Sequence, residues 1–581
     1  MRPLIQQIQT VHTPESLVEN LRGVPGIVLL RTSQFDSPAA RYSFVTASPF
    51  LSFRSFGSRC EIRRSAEHSS ASPSQDADEA RLRAPVQTQF GNPWHLLDAL
   101  MSRFELLDEI DLPFPLGGAF GYWGYDLKNF TEPKLPRRAV NDLELPDCHV
   151  GFYDSLVVFD HQLGKVFIVS TGLDADGSRS ESRAKEKLEF WRGELECGTP
   201  GTAPARSEIP QPAGTVPGAP NATFTTALSL LERARENSSL SLANPNVGDL
   251  TGKLKQFLPL RGERAGERAD VLANFSKADF LAAVERAQRY IRAGDIYQVN
   301  LSQRLTAEVV AERQAPTRYA ESAGHAGSEA GAPSLPGWEL FQKLNAVSPA
   351  PFAAFLDGGE FQVASSSPEQ FLRLSGSHIQ TRPIKGTRPR DSDATRDLQL
   401  AHELQTSAKE LAELVMITDL SRNDLGRVCE YGSVQVPELA KLEKFAQVQH
   451  LVSTVEGRLR NNVTHFAAFA SCFPGGSITG APKFRAMEII DELEPISRGP
   501  YCGAIGYLGF NRESQLNIAI RTAVCKDGLA HFNVGAGIVA DSNPEAEYEE
   551  TLAKAAGFLA ALEMGISRRQ GAQLKAESEI S

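Results

Sequence analysis

Cysteine is scarce in this sequence, and its distribution excludes two kinds of protein. The chain has 581 residues and only 7 cysteines, an odd number that lies widely scattered without a C-x-x-C pair. A small secreted domain built on disulfides would carry many paired cysteines, and a structural zinc site would show closely spaced Cys or His ligands. The pattern favours reduced thiols in a cytosolic enzyme.

Long apolar runs and excess positive charge are also missing. No stretch of about eighteen apolar residues occurs, and the first residues, MRPLIQQ, lack the apolar core of a signal peptide. The net charge of −11 at pH 7 argues against nonspecific binding to nucleic acid. We therefore expect a soluble, cytoplasmic protein that binds neither a membrane nor a nucleic acid.

The sequence lacks a βαβ repeat and a dinucleotide-binding fingerprint, so its separate strands and helices predict an α+β fold. Composition divides the chain into four stretches. We expect a β-rich N-terminal half (1–175), a flexible Pro-, Gly- and Ser-rich linker or insert region (176–270), a catalytic domain (271–565) and a polar tail (566–581). The linker holds one predicted helix at 223–235, and a second insert of similar composition spans 313–336.

A lysine stands in an unusual setting within the stretch TRPIKGTRP at 381–389. Lys385 lies between Pro383, whose φ is locked, and Gly386, which is free to adopt φ > 0 and lets backbone N–H groups approach a ligand. Arg382 and Arg388 flank it, and neighbouring cations disfavour the ammonium form, which favours the nucleophilic amine. The alternative is a solvated basic loop.

Carboxylates supply the other candidates for chemistry. Glu369 follows a proline turn before a strand, where partial burial would suit a general acid, although a capping role is an equal alternative. Two acidic helices follow, one with Glu413 and one with Glu550, and if they converge their oxygens would suit Mg²⁺. Taken singly, Glu550 and Lys554 at i,i+4 are a surface pair. The first of these helices has the expected core positions Leu411, Leu414, Val415 and Thr418.

Two further features indicate an anionic ligand. The glycine-rich run PGGSITGAPK at 474–483 is not a P-loop, because Ala-Pro stands where Lys-Ser/Thr is needed, but the helix that follows has free N–H groups that suit a carboxylate. Arg521 ends a strand that is apolar on one face. It is a candidate for a bidentate carboxylate clamp, with a structural salt bridge as the competing interpretation.

Eight motifs in order resemble the chorismate-utilising enzymes, which include anthranilate synthases, aminodeoxychorismate synthases, isochorismate synthases and salicylate synthases. The motifs are GDIYQVNLSQR, SSSPEQF, RPIKGTRPR, KELAELVMITDLSRNDLGR, FPGGSITGAPKFRAMEIIDELE, YCGAIGY, NIAIRT and GAGIVADSNPEAEYEETLAKA. The resemblance spans roughly residues 276–562, and 117–160 is similar to the family's N-terminal half. It implies a large, mainly antiparallel β-sandwich core flanked by helices.

The resemblance also implies roles for particular residues. Glutamates matching Glu413 and Glu550 hold Mg²⁺, and the residue matching Glu369 protonates the departing C4 hydroxyl of chorismate. The substrate-binding positions that it implies are Gly386, Thr387, His450, Tyr501, Arg521, Gly535, Gly537 and Lys554. Ala536 stands where the family usually has glycine, so its methyl group is expected to tighten the backbone approach to the substrate.

Two positions distinguish branches of the family. Gln298 stands where isochorismate and salicylate synthases need a lysine that activates water, and a neutral amide cannot accept that proton. Lys385 replaces the alanine of anthranilate synthases and is typical of aminodeoxychorismate synthase component I, on the route to p-aminobenzoate and folate. There the amine attacks C2 in a covalent mechanism. Anthranilate synthase component I, on the route to tryptophan, is the alternative.

The resemblance further implies partners. Nothing in the chain resembles a glutamine amidotransferase, so a separate glutaminase subunit is expected to supply ammonia in a heterodimer. Some relatives hold tryptophan in the N-terminal half, where 29–33 and 41–43 of this chain would form the pocket. The Leu-Leu-Glu-Ser pattern of feedback-regulated members is not intact there.

Overall fold

A computed structural model describes residues 2–32, 41–64, 86–107, 112–196, 271–309, 336–445 and 448–579. In this part of the chain no helix is both long enough and apolar enough to cross a bilayer. All but the last residue of the insert at 313–336 falls outside these residues, as does the helix expected at 223–235.

The described residues form strands and helices throughout. The strands are β1 Leu4–Ile8, β2 Val28–Arg31, β3 Tyr42–Thr46, β4 Leu51–Phe56, β5 Arg59–Arg64, β6 Val86–Phe90, β7 Gly118–Trp123, β8 Cys148–Tyr153, β9 Ser155–Asp160, β10 Lys165–Ser170, β11 Val271–Ala273, β12 Gln298–Glu308, β13 Phe352–Asp357, β14 Gln362–Ser367, β15 Gln370–Ser375, β16 His378–Arg382, β17 Ile384–Pro389, β18 Gln435–Lys444, β19 Val448–Arg458, β20 Gly480–Ala481, β21 Ala504–Gly509, β22 Glu513–Ile518, β23 Thr522–Lys526 and β24 Leu529–Ile538. The helices are α1 Pro14–Asn20, α2 Pro93–Met101, α3 Lys128–Thr131, α4 Glu181–Glu196, α5 Lys277–Arg292, α6 Pro336–Val347, α7 Ala394–Thr406, α8 Ala408–Gly426, α9 His465–Cys472, α10 Lys483–Leu493 and α11 Pro544–Glu579.

These strands build two large antiparallel sheets, which confirms the α+β prediction. The first sheet has 12 strands in the order β1-β10-β9-β3-β2-β13-β14-β23-β24-β12-β11, with β20 beside β12. The second also has 12 strands, in the order β17-β19-β16-β15-β22-β21-β7-β8-β4-β5-β6, with β18 beside β19. The sheets share one core, in which Phe44 of the first sheet meets Tyr507 of the second at 5.2 Å between ring centroids. Each fully buried ring of this kind contributes about 1.5–3 kcal/mol.

The N-terminal and C-terminal stretches are interleaved in both sheets. Strand β2 pairs with β13, and β7 pairs with β21. Glycines permit the close packing at β7, as their interleaving with aromatic residues predicts, because a Cβ on Gly121 would lie 2.1 Å from the carbonyl oxygen of His149. The boundary expected near residue 175 therefore does not divide the sheets into an N-terminal and a C-terminal set.

Helix α4 lies inside the stretch expected to be a flexible linker. It is packed on the first sheet, with Leu188 and Trp191 buried and the Trp191 indole donating to Ser155 Oγ at 3.0 Å. The structured N-terminal part of the chain therefore extends to at least residue 196. An apolar face that contains a tryptophan explains why this segment packs although its overall composition is polar.

Two of the helices begin at a capping serine. Ser276 caps α5 by accepting a hydrogen bond from the Asp279 amide, and Ser407 caps α8 in the same way from Glu410. Helix α8 buries Leu414, Ile417 and Thr418, whereas Val415 is 48% exposed. The core assignment of Val415 is wrong, because α8 turns Ile417 toward the protein.

Candidate functional site

Lys385 lies on an irregular strand at the edge of the second sheet. In β17 it pairs with Leu451, whereas Thr387 pairs with His450, so Gly386 is an extra residue in the ladder. Gly386 has φ of 72°, and a Cβ there would lie 2.7 Å from Leu404. The expected need for glycine at this position is confirmed, and the resulting bulge changes the direction of the strand beside Lys385.

Three carboxylates lie near this lysine. Lys385 Nζ lies 3.7 Å from Glu413 Oε2, and both side chains are about 15% exposed. Lys385 is also close enough to Glu369 and Glu550 to favour their ionised forms. The structure therefore brings together four residues that lie up to 181 positions apart in the sequence.

The charges beside Lys385 differ from those expected. Arg382 forms an ion pair with Glu443, and the guanidinium of Arg388 lies 3.5 Å from Glu410. Both arginines are thus paired with glutamates from β18 and α8, so neither stands beside Lys385 as a free cation.

Glu369 is a buried carboxyl with a raised pKa. Burial raises the pKa of its carboxyl from the usual 4.5 to about 7, against the opposing effects of a hydrogen bond from Ser477 and the charge of Lys385. The backbone of Ile384 also donates to this carboxyl. Ser477 was not a sequence candidate, although the glycine-rich turn that carries it was singled out.

The two acidic helices converge at Lys385. Glu413 projects from α8 and accepts a hydrogen bond from the buried amide of Gln298, with 3.2 Å between Nε2 and Oε2. Glu550 projects from α11, where Lys554 contacts it at 2.8 Å and also donates to the Gly535 carbonyl at 2.8 Å. Partial burial opposes ionisation of Glu550, but Lys554, Lys409 and Lys385 outweigh it and lower its pKa.

Glu413 and Glu550 form a donor set that suits Mg²⁺. This ion uses one or two protein carboxylates and completes its shell with water and ligand oxygens. Among the described residues no cluster of three or more His, Cys, Asp or Glu side chains stands ready to hold a metal. Binding of Mg²⁺ by Glu413 and Glu550 stays a prediction.

Arg521 lies near His450, with φ of 50° and a partly buried side chain. Burial lowers the pKa of its guanidinium, and no carboxylate of the described residues forms an ion pair with it. The competing structural salt bridge is therefore not seen in the described part of the chain. A desolvated guanidinium without an acidic partner is suited to an anionic ligand.

His450 is a neutral group beside this arginine. Burial lowers its pKa to about 4, and the charge of Arg521 acts in the same direction. Thr387 Oγ1 lies 2.9 Å from His450 Nδ1, and the ring also hydrogen-bonds the backbone of Gly386. Thr387 and His450 were separate candidates in the sequence, and the structure places them in direct contact.

Strand β24 presents its glycines to the same region. A Cβ on Gly535 would lie 3.1 Å from the Tyr501 hydroxyl, and one on Gly537 would lie 2.4 Å from Gln298 Nε2. The intervening Ala536 is fully buried, and alternation along the strand turns its methyl group into the core. The expected crowding of the substrate by Ala536 is therefore wrong.

The N-terminal stretch named for tryptophan is only partly described. The hydroxyl of Ser43 is occupied, since it contacts His161 Nε2 at 2.7 Å and accepts from the Thr32 amide at 3.1 Å. Ser33 lies outside the described residues. Tryptophan binding stays a prediction.

Comparisons with known proteins agree on one family. The family described as chorismate binding enzyme matches residues 56–560. Anthranilate synthase component 1 of Acetivibrio thermocellus is 34% identical over 95% of this chain and 93% of its own. Aminodeoxychorismate synthase component 1 of Salmonella typhimurium is 37% identical over 81% of this chain and 83% of its own.

A solved structure extends the comparison to the fold. The crystal structure of anthranilate synthase component I from Streptococcus pneumoniae aligns with a TM-score of 0.62 and 28% identity, over 90% of this chain and 93% of the other. The two-sheet architecture described above is thus that of a known fold.

Proposed function

Because this chain belongs to the chorismate-binding enzyme family, we propose that it is the chorismate-aminating component of an aminodeoxychorismate synthase. Its product would be 4-amino-4-deoxychorismate, the precursor of p-aminobenzoate on the route to folate. The observation that carries this assignment is Lys385 in its bulge, beside an acid of raised pKa.

The proposed reaction has two halves. In the first, Lys385 Nζ bonds to C2 of chorismate while Glu369 gives its proton to the C4 hydroxyl, which leaves as water. In the second, ammonia bonds to C4 and the C2–N bond to Lys385 breaks. A covalent adduct replaces one difficult substitution by two easier ones.

The other candidate residues bind and orient the substrate. Arg521 and Tyr501 bind carboxylate oxygens, as does the backbone near Gly535 and Gly537. The two glycines let Tyr501 and Gln298 approach β24 closely. Mg²⁺ held by Glu413 and Glu550 would neutralise a substrate carboxylate. Gln298 keeps Glu413 in position and, being a neutral amide, does not activate water for attack at C2.

A partner supplies the ammonia in this proposal. The relatives' names designate a component 1, which supports a second component. We expect a glutamine amidotransferase subunit in that role, and we expect the isolated chain to work with ammonium salts alone.

Anthranilate synthase is the second candidate, because an anthranilate synthase component aligns over 95% of this chain. The pure chain incubated with chorismate, Mg²⁺ and ammonium chloride separates the two. Our assignment predicts 4-amino-4-deoxychorismate by chromatography. Direct appearance of fluorescent anthranilate would contradict it, and chorismate binding without turnover would indicate a non-catalytic member of the family.

Arg521→Met tests the carboxylate clamp. We expect the KM for chorismate to rise roughly 10–100-fold, the value of one or two charge-assisted hydrogen bonds. The melting temperature should hold or rise, because a desolvated charge without an acidic partner is removed. A structural ion pair predicts the opposite, a loss of about 3–5 kcal/mol of stability. Steady-state kinetics and thermal melting curves distinguish the carboxylate clamp from a structural ion pair.

Glu413→Gln tests the magnesium site. The substitution keeps the shape of the side chain but removes its charge, so the Mg²⁺ concentration for half-maximal activity should rise by roughly tenfold or more. Glu403→Gln, on the exposed surface of α7, is the matched control. An unchanged Mg²⁺ requirement in the Glu413 variant would remove this residue from the ligand set.

A further inference from the structure

A pocket adjoins Glu369. It lies between helix α8, the turn at 475–477 and strands β15 and β16. Its walls include Gln370, Ser421, Asp424 and Ser477, whereas Lys385 and Arg521 are not among the described residues that line it. The pocket therefore reaches Glu369 along a path that does not pass Lys385 or Arg521.

This pocket offers hydrogen-bond acceptors without donors of their own. Gln370 is 2% exposed, and its Oε1 accepts no hydrogen bond from the described residues, while its Nε2 lies 3.4 Å from Gln380 Oε1. The hydroxyl of Ser421 donates to the Ile417 carbonyl at 2.9 Å, which leaves its lone pairs available. A buried carbonyl oxygen without a donor is costly unless a ligand or water supplies one.

The nearby cation does not supply that donor. Lys483 Nζ contacts Asp424 at 2.6 Å and donates to the carbonyls of Cys472 and Pro474 at 3.1 and 2.9 Å. These contacts use all three N–H groups of an ammonium. A ligand that suits the pocket is small, brings its own N–H or O–H donors and carries no negative charge.

We propose that this pocket is the subsite that holds ammonia beside Glu369. The inference rests on the proposed function, in which Glu369 faces C4. Ammonia has three N–H donors for Gln370 and the neighbouring oxygens, and one lone pair for carbon. The chorismate carboxylates, which are acceptors, are excluded by the same chemistry.

The step that follows is balanced. The lone pair of ammonia forms the N–C4 bond, and the C2–N bond to Lys385 breaks as the double bonds shift. One proton moves from the new ammonium group to the Glu369 carboxylate, which had given its proton to the departing water. Glu369 is thereby restored as an acid, and Lys385 as an amine.

Gln370→Met tests the subsite with ammonium chloride as the probe. We expect the KM for ammonium to rise about tenfold, the effect of one lost buried hydrogen bond. The KM for chorismate and the rate of Lys385 adduct formation without ammonium should stay within about twofold of wild type. Gln435→Met, on the exposed end of β18, is the control for the same chemical change.

Ser421→Val provides a second, independent variant, since its extra methyl groups narrow the pocket. It should also raise the KM for ammonium and leave adduct formation unchanged. An unchanged KM for ammonium in both variants would overturn the proposed subsite. So would a slowing of adduct formation by the same factor as the rise in the KM for ammonium. Failure of the proposed function gives a different result, namely no adduct and no aminated product from wild type.

Discussion

Lys385→Ala is expected to lower the rate of chorismate amination by roughly 10³-fold or more, because the first covalent bond of the proposed reaction is then impossible. The loss should fall on kcat rather than on KM, since Arg521 and Tyr501 still bind the substrate. The fold should persist, because the lysine side chain makes one ion contact, at 3.7 Å, and lies at the edge of a sheet.

The matched control for this variant is Lys441→Ala. Lys441 belongs to the neighbouring strand β18, is half exposed and pairs with Glu438. Its replacement should leave kcat and KM within about twofold of wild type, as for most surface substitutions. If the Lys385 variant aminates chorismate at the wild-type rate, Lys385 is not the nucleophile. The chain would then be a family member whose reaction is unassigned.

Glu369→Gln is expected to lower kcat by roughly 10²–10⁴-fold, the usual value of a positioned general acid. Because the pKa of Glu369 is about 7, kcat/KM of the wild type should fall as the pH rises through about 7 and the carboxyl loses its proton. The variant has no titrating carboxyl at position 369, so its kcat/KM should not fall as the pH rises through about 7. A pH profile that is identical in both proteins would contradict the assignment.

The same carboxyl predicts a change in stability with pH. The folded state holds the Glu369 proton to about pH 7, whereas an unfolded chain releases it near 4.5. The stabilisation from this proton is fully present below pH 4.5 and is lost as the pH rises through 7. The lost part amounts to about 3 kcal/mol. Glu369→Gln should therefore raise the melting temperature relative to wild type at pH 8 more than at pH 4.

Much of the site could be predicted from local sequence. Gly386 between Lys385 and Thr387 indicates a backbone with φ > 0, and a bulge occurs there. The placement of Glu369 directly after a proline turn predicts a restricted carboxyl, and its pKa is raised by burial. The glycine conformation depends on neighbours a few residues away, so the local sequence indicates it. The burial that raises the pKa of Glu369 comes instead from tertiary packing, with Ser477 as one distant neighbour.

Other features depend on contacts between distant segments. Arg382 and Glu443 are 61 positions apart, so nothing near Arg382 indicates that its charge is neutralised. Gln298 and Glu413 are 115 positions apart, and their hydrogen bond follows only from the packing of β12 against α8. Val415 follows the core position Leu414 directly, but successive helical residues point about 100° apart, so Val415 faces away from the core.

The most direct measurement is the intact mass of the protein after mixing with chorismate and Mg²⁺ without ammonium, followed by an acid quench. A covalent role for Lys385 predicts a mass increase equal to chorismate less one water, which peptide mapping places on Lys385 and which disappears in Lys385→Ala. Turnover to 4-amino-4-deoxychorismate without any such adduct, or an adduct on another residue, would contradict it.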